Sequence, residues 1–250
     1  MKQLIYASLL IIGSLVIAGC AGDNSESKKT VTVFAGEPDA VAKADAMFEA
    51  IGGKEKWANI QSLYWKAIHS EGESSYENAT WREFVEFNLK VEQKDDTFHR
   101  VGYFSSAGGW IEYLDRDTVE RVNDAMMANI YRNHKKNIYS VLHFLATEPH
   151  LVAKFGRDGR LEFEQNLVVI CAFVLNSENR PVQFITRSID GLRAETSVFD
   201  QWGESNGYFY PASGGTPDST FWFQVEEWQA DNTPFSDISF VYESENTTGE

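Results

Sequence analysis

The alternation of apolar and polar side chains predicts β-strands over most of the chain beyond residue 60. In the first of these, Leu63, Trp65 and Ala67 share one parity while Tyr64 and Lys66 fall on the other. Side chains on a strand point alternately to its two faces, so this pattern is typical of a half-buried strand. Residues 81–92 show the same period and are interpreted as one long strand, whose apolar parity carries Trp81, Val85, Phe87, Leu89 and Val91.

Residues 38–51 follow the helical period instead. Pro38 suits the first turn of a helix, and Val41, Ala44 and Phe48 then recur at helical spacing. Gly52-Gly53 ends this predicted helix, because glycine adopts the left-handed conformation at a helix C-terminus without a Cβ clash.

A second helical region is predicted in the middle of the chain. Asp117, with Glu120 three residues later, has the spacing of a helix cap. The apolar positions that follow include Met126, Ile130 and Leu142. They predict one broken helix or two helices that end before residue 149.

Short strand-like runs return after residue 150, separated by turn sequences such as Asp158-Gly159. The last two predicted strands lie within residues 219–244. The predicted fold class is therefore mainly β (α+β), a curved antiparallel sheet or half-open β-barrel with an N-terminal helix and a mid-chain helical insert. We expect one domain over residues 37–245 and a polar tail over residues 246–250.

The first residues of the chain predict an export signal. Lys2 precedes an apolar run from Leu4 to Ile17, which is shorter than the roughly 20 residues that a membrane-spanning helix needs. Residues 1–19 are therefore interpreted as a signal peptide. The polar composition of residues 20–36 predicts a flexible tether between this signal and the domain.

The sequence Ile17-Ala18-Gly19-Cys20 resembles the lipobox of bacterial lipoproteins. The resemblance implies that cleavage precedes Cys20 and that acyl chains such as palmitate become attached to it. These chains would anchor the protein to a membrane. Ala21 follows the cysteine, and within this family that points to the outer membrane. For such an anchored protein we expect the domain to face the periplasm.

Charge and motif content limit the remaining functions. The formal net charge of −15 argues against nucleic acid as a partner, because phosphates require a positive footprint. Cys171 lies in an apolar run and is predicted to be a buried structural thiol. No nucleotide, metal or nucleophile motif is present, so no cofactor and no metal site is expected. The basic sequence from Arg132 to Lys136 is open to two interpretations, a contact with phosphate groups or a solvated connection.

Several features together resemble the periplasmic lipoprotein-localisation carriers and their outer-membrane receptor. They are the helix that ends in Gly52-Gly53, the passage from Trp57 through Ile60 to Leu63, and the mid-chain helices between meandering strands. Residues 203–215 and 228–240 are similar to late elements of those domains. Over residues 38–243 the resemblance implies a half-open β-barrel whose helices cover an apolar cavity for acyl chains. No residue of the family's lipoprotein-handling apparatus is matched here.

Three hypotheses for function follow. The first is a non-enzymatic lipoprotein that binds a lipid or other hydrophobic ligand in an apolar cavity. The second is an envelope scaffold or interaction module with a packed core, whose partner is an envelope protein or cell-wall glycan. The third is a hydrolase that uses acidic residues such as Glu83 and Glu86 in one cleft. Under the first hypothesis the predicted ligand-binding residues are Trp65, Trp81, Val85, Phe87, Leu89 and Trp110, with Met126, Ile130 and Leu142 in a helical lid.

Overall fold

The computed structural model describes residues 31–187 and 194–231. Within these ranges the chain forms fourteen strands and four helices. The strands are β1 (Ala35–Gly36), β2 (Ser62–Glu71), β3 (Ser74–Glu83), β4 (Asn88–Lys94), β5 (His99–Ser105), β6 (Gly108–Tyr113), β7 (Thr118–Arg121), β8 (Val152–Phe155), β9 (Leu161–Gln165), β10 (Val168–Leu175), β11 (Pro181–Arg187), β12 (Ala194–Ser205), β13 (Tyr208–Gly215) and β14 (Phe221–Ala230). The helices are α1 (Pro38–Ala50), α2 (Lys54–Asn59), α3 (Asp124–Lys136) and α4 (Ile138–Thr147).

All fourteen described strands belong to one curved sheet. Two antiparallel meanders, β2 to β7 and β8 to β14, join where β14 pairs with β2. The short strand β1 pairs in parallel with β8 at one edge, and β7 forms the other edge. The sheet is therefore open, and the predicted fold class, with an N-terminal helix and a mid-chain helical insert, is confirmed.

The predicted N-terminal helix is confirmed at both ends. Pro38 occupies the first turn of α1, and Gly52 and Gly53 follow its last turn with φ of +107° and +97°. These φ values favour glycine, because an L side chain is strained there. Gly52 also lies close to the β12–β13 turn: a Cβ at this position would be 2.2 Å from the carbonyl oxygen of Gly207.

The main core lies between the concave face of the sheet and the helices α1, α2 and α4. Trp57 of α2 is fully buried, and its indole Nε1 donates to the carbonyl oxygen of Ile51 at 3.0 Å. The Trp57 ring stacks on Tyr139 of α4 and meets the edge of Tyr208. Cys171 is buried in the same core, as predicted, and burial raises the pKa of its thiol. Large aromatic side chains therefore fix the helices on the sheet.

The predicted single strand over residues 81–92 is wrong, since the chain forms a hairpin there. β3 ends at Glu83 and β4 begins at Asn88, and in the pairing Arg82 is opposite Leu89 while Trp81 is opposite Lys90. Paired residues share one face of a sheet. Leu89 therefore shares its face with Arg82 and not with Trp81. The connecting residues 84–87 contain no glycine, proline or asparagine to mark the turn.

The predicted helix cap at Asp117 is also wrong. Asp117 lies in a turn with a φ of 52°, and Thr118–Arg121 forms strand β7 against β6. The helix begins later, where the side-chain oxygen of Asn123 accepts a hydrogen bond from the backbone N–H of Met126 at 2.9 Å. A short polar sequence with two acidic residues suits a tight turn as well as a cap. Two helices follow, α3 and α4, so of the two predicted alternatives, one broken helix or two helices, the second is confirmed.

Residues 31–36, assigned to the tether from their composition, contact the domain. Phe34 is 5% exposed, and its ring lies against Phe48 and Phe163. The N–H of Thr32 donates to the carbonyl oxygen of Ala146 at 2.9 Å. One buried aromatic ring and the pairing of β1 therefore hold this segment on the sheet. The signal peptide, Cys20 and the last predicted strand lie outside the described residues.

No helix within the described ranges is long and apolar enough to cross a membrane.

Candidate functional site

A cavity of about 760 Å³ lies against the concave face of the sheet, beside the junction of α3 and α4. This volume falls within the range of small-molecule sites in proteins. Its walls come from both meanders, with β2, β3 and β4 on one side and β11 to β14 on the other. Apolar side chains from both sides line it, including Trp65, Leu89, Val91, Phe184, Phe199 and Phe223.

Strand β3 gives the cavity a polar wall. Asn78, Thr80 and Arg82 share the concave face, and Gln93 of β4 lies beside them. The Asn78 amide donates to the Thr80 hydroxyl at 3.0 Å, and the Gln93 amide donates to the Asn78 oxygen at 3.1 Å. These three side chains satisfy one another, which reduces the cost of burying them.

Arg82 lies where this wall meets the two helices. Its Nη1 donates to the carbonyl oxygen of His134 at 2.8 Å and also contacts the hydroxyl of Ser140. The guanidinium carbon is 5.4 Å from the centre of the Trp65 ring, within reach of a cation–π interaction. The residue is 4% exposed, and burial lowers the pKa of the guanidinium to about 9. One buried cation thus connects the sheet to the end of α3 and the start of α4.

The opposite end of the cavity contains aromatic and weakly polar side chains. The His69 ring meets Phe221 edge-on at 5.1 Å and Tyr76 at 5.3 Å, measured between ring centres. Burial lowers the pKa of His69 to about 4, so its ring is neutral near pH 7. Arg82 lies six positions after Tyr76 on β3, which corresponds to about 20 Å along the strand. The cavity is therefore elongated, with its permanent charge at one end.

A second, more apolar cleft of about 490 Å³ lies on the other side of the helix junction. It is lined by the β3–β4 turn, by α4 and by β10, and Phe84, Val85, Phe87, Phe144 and Ile170 contribute to its surface. His134 and Ser140, both partners of Arg82, also line this cleft. Arg82 and the helix junction thus form the partition between the cavity and the cleft.

His134 belongs to this partition. Its ring meets Phe87 edge-on at 5.0 Å, and within the described residues its Nδ1 is buried without a hydrogen-bond partner. Burial, reinforced by the charges of Arg82 and Lys135, lowers the pKa of His134 to about 3. A protonated His134 would place a second positive charge beside Arg82, so the ring is neutral at the end of α3.

The structure places four of the predicted ligand-binding residues in two different sites. Trp65 and Leu89 line the cavity, and Val85 and Phe87 line the cleft. Trp65 is 9% exposed and Leu89 is 6% exposed, whereas Val85 is 62% exposed at the turn.

Trp81 and Trp110 do not face the cavity, and this corrects their assignment. Both lie on the outer face of the sheet, because they alternate with residues of the concave face. The Trp81 ring lies under the ammonium of Lys90 at 4.3 Å, and the Trp110 ring stacks on Tyr103. The misassignment of Trp81 follows from treating residues 81–92 as one strand.

The three residues predicted for a helical lid occupy different environments. Leu142 is fully buried in the main core and lines neither the cavity nor the cleft. Met126 is 46% exposed on α3. Ile130 is half-buried and packs on a small separate cluster formed by Leu89, Phe104 and Val122. Of the two helices, α3 lies loosely on the sheet and α4 is part of the core.

Sequence reasoning missed the polar wall and the far side of the cavity. Asn78, Thr80 and Arg82 alternate with Ala79 and Trp81, and this pattern is the same for a solvated face as for a polar cavity wall. The only sequence feature that pointed to a polar contact was the basic sequence from Arg132 to Lys136. The structure places its Lys136 on the cavity, paired with Glu195 at 2.9 Å.

The acidic pair considered for hydrolysis is not assembled in one cleft. The carboxylate of Glu83 accepts a hydrogen bond from the Asn88 amide at 2.6 Å and lines neither the cavity nor the cleft. Glu86 is exposed at the edge of the cleft. Within residues 31–187 and 194–231, no group of three or more His, Cys, Asp or Glu side chains is arranged to hold a metal ion.

No protein-family model matches this sequence, and no curated protein matches it. Solved structures do resemble it in fold. A LolA superfamily protein from Nitrosomonas europaea is 12% identical, and the match covers 77% of this chain and 96% of that one with a TM-score of 0.43.

Two further structures match over similar lengths. An outer membrane lipoprotein-sorting protein domain from Vibrio parahaemolyticus is 12% identical over 76% of this chain and 92% of its own, with a TM-score of 0.39. A DUF1329 family protein from Desulfovibrio piger is 10% identical over 75% and 92%, with a TM-score of 0.37. At these identities and TM-scores the likenesses carry no conclusion about function.

Proposed function

We propose that this protein is a non-catalytic binding protein that holds a lipid or other hydrophobic ligand in the cavity on the concave face of its sheet. The observation that carries the proposal is the cavity itself, about 760 Å³ with apolar side chains from both meanders. Burying an acyl chain there would release about 0.8 kcal/mol per methylene group. A ligand of this kind needs enclosure more than it needs catalytic groups.

The placement of the helices supports this function. α4 fixes one end of the cavity, because seven of its residues are buried. None of the residues of α3 is buried, although its C-terminal residues Asn133 and Lys136 line the cavity. In this proposal α3 is the covering element, and it moves away from the sheet when a ligand enters.

The proposed location is the outer membrane, with the domain facing the periplasm and acyl chains on Cys20 as the anchor. The lipobox-like sequence and the apolar run before it support this part of the proposal. Two or more acyl chains hold a protein stably at a membrane, whereas one is marginal. Loss of membrane association in Cys20→Ser, measured by fractionation, would follow from it.

Two neighbouring positions on β12 allow a matched test of the cavity. Ser197 lines the cavity, and Thr196 beside it points to the opposite face; both are half-buried. We expect Ser197→Trp to fill the cavity and to abolish the uptake of a fluorescent fatty acid, while Thr196→Trp binds as the unsubstituted chain does. The chain without residues 1–19, carrying Cys20→Ser, avoids any contribution from the anchor.

The readouts are the fluorescence titration and native mass spectrometry of protein purified without detergent. Circular dichroism of both variants establishes that each one is folded. Equal binding by the two folded variants would contradict a ligand site in this cavity. No binding by the unsubstituted chain would contradict the proposed function as a whole.

A further inference from the structure

Arg82 is a buried cation without a carboxylate partner among the described residues. Its only hydrogen bonds there are the two made by Nη1, to the carbonyl oxygen of His134 and the hydroxyl of Ser140. Nε is buried and has no partner in the same part of the chain. A guanidinium carries five N–H donors in a planar fork, and burying it unpaired is costly. Such a group is typical of a site that is completed by an anion.

The charge on the cavity wall differs from that of the whole protein. The full chain has a formal net charge of −15. Around the cavity the charged side chains are Arg82, Lys136 and Glu195, and the last two pair with each other at 2.9 Å. The remaining charge is the single positive one of Arg82. In a strongly acidic protein, a cavity with a net positive wall favours an anionic ligand over a neutral or cationic one.

The position of Arg82 defines where such a ligand would lie. The guanidinium is at the helix junction, and the aromatic end of the cavity near His69 and Phe221 is about 20 Å away along the strand. Between them the wall carries the apolar side chains of Trp65, Val91 and Val225. Asn78, Thr80 and Gln93 line the same stretch, and their polar groups bond to one another. One end therefore suits a charged head group, and the apolar side chains beyond it suit a tail.

We propose that the ligand is an anionic amphiphile, whose carboxylate or phosphate head group binds Arg82 while its acyl chain extends along β3 toward His69. This inference rests on the proposed function and adds to it the chemical class and the orientation of the ligand. The head group would accept from the N–H groups of the guanidinium fork that face the cavity, since arginine commonly binds carboxylates and phosphates through this fork.

The first test compares two probes that differ only in the head group, cis-parinaric acid and its methyl ester. Fluorescence titration of the chain without residues 1–19, carrying Cys20→Ser, gives both dissociation constants. We expect the acid to bind about tenfold more tightly or better, since a hydrogen bond to a charged group contributes that much. In Arg82→Met the preference for the acid over the ester should disappear.

Lys90→Met is the matched control, because Lys90 lies one strand away on the outer face over Trp81. It removes the same charge from the protein without touching the cavity, and we expect it to retain the preference for the acid. If Arg82→Met does not fold, Arg82→Lys tests the same point. Arg82→Lys retains the positive charge but loses the planar guanidinium fork. We therefore expect this variant to retain only part of the preference for the acid over the ester.

Displacement of bound parinaric acid distinguishes a lipid head group from a free phosphate ion as the anion that binds Arg82. We expect oleate or oleoyl lysophosphatidate to displace it, and inorganic phosphate at the same concentration to leave it bound. Equal affinity for the acid and the ester in the unsubstituted chain would overturn the inference and leave the proposed function standing. The inference would also be overturned if inorganic phosphate displaced parinaric acid and the two lipids did not, because the site would then bind a free anion. Failure of both probes to bind would instead contradict the proposed function.

Discussion

The helices α3 and α4 are adjacent in sequence, with only Asn137 between them, yet they are held by the fold in different ways. In α4 seven residues are buried, from Ile138 to Ala146. In α3, which is longer, none is buried. Both begin at an asparagine whose side chain caps the first turn. Helix formation and attachment to the core are therefore separate properties here, and only α4 has both.

The contacts of α3 explain its weaker attachment. Met127 and Ile130 are partly buried against a cluster of three residues, Leu89, Phe104 and Val122. At the C-terminal end, the carbonyl oxygen of His134 accepts from Arg82, and Lys136 pairs with Glu195. These contacts are few and lie around a cavity. An element with so little buried apolar surface opens at a lower free energy than the core does.

The largest expected effect contrasts one apolar residue from each helix. Leu142→Ala should lower the free energy of unfolding by about 2–5 kcal/mol, because it leaves a void in the packed core. Ile130→Ala should lower it by roughly 1 kcal/mol, since Ile130 is only half-buried. Urea denaturation monitored by circular dichroism measures both. Similar losses at the two positions would show that α3 belongs to the core.

The second effect is a pH dependence that originates at the end of α3. The pKa of His134 is about 3 in the folded chain and about 6.5 in the unfolded chain. Between these two pH values the unfolded chain binds a proton at His134 and the folded chain does not. The free energy of unfolding should therefore fall as the pH decreases below about 6.5. From pH 6.5 to 5 the His134 contribution is at most about 2 kcal/mol.

His134→Gln should flatten this pH profile, measured by denaturant unfolding at a series of pH values. Part of the slope should persist in the variant, because burial also lowers the pKa of His69, to about 4. A profile that His134→Gln leaves unchanged would mean that the end of α3 is hydrated and does not bury this ring.

The smallest effect compares the two helix caps. The Asn137 side chain accepts from the N–H of Tyr139 at 3.0 Å, and the Asn123 side chain accepts from the N–H of Met126 at 2.9 Å. Asn137→Ala should lower the free energy of unfolding by about 1 kcal/mol, the usual cost of a lost cap. Asn123→Ala should accelerate amide hydrogen exchange within α3 alone and leave the free energy of global unfolding almost unchanged. Faster exchange in α4 as well would contradict the independence of the two helices.

Much of the fold could be predicted from periodicity. The strand Ser62–Glu71 and the helix Pro38–Ala50 have strong patterns and clear ends, and both are confirmed. The β3–β4 hairpin escaped prediction because its turn contains two phenylalanines and a valine in place of turn-forming residues. Tertiary contacts stabilise that turn, since Phe84 packs on His143 and Phe87 on Tyr131.

The candidate site could be predicted only in part. Trp65 and Leu89 lie on apolar parities of the sequence and line the cavity, but parity indicates burial and does not distinguish a packed core from a cavity wall. Arg82 was missed for the opposite reason, because an arginine in an alternating strand is normally exposed. Its role depends on the register of β3 against β4 and on the approach of the helix junction, and both are determined by contacts between distant parts of the chain.

The two ends of the sheet protect the protein from adding a further strand to itself. At one edge, the two residues of β1 pair with β8, and the chain then turns into α1 through Pro38. At the other, β7 is four residues long, fully exposed, and carries Glu120 and Arg121. Both edges are short and β7 is also charged, and either property disfavours intermolecular β-pairing. A sheet with fourteen described strands can therefore stay open, as a cavity protein requires, without becoming a template for aggregation.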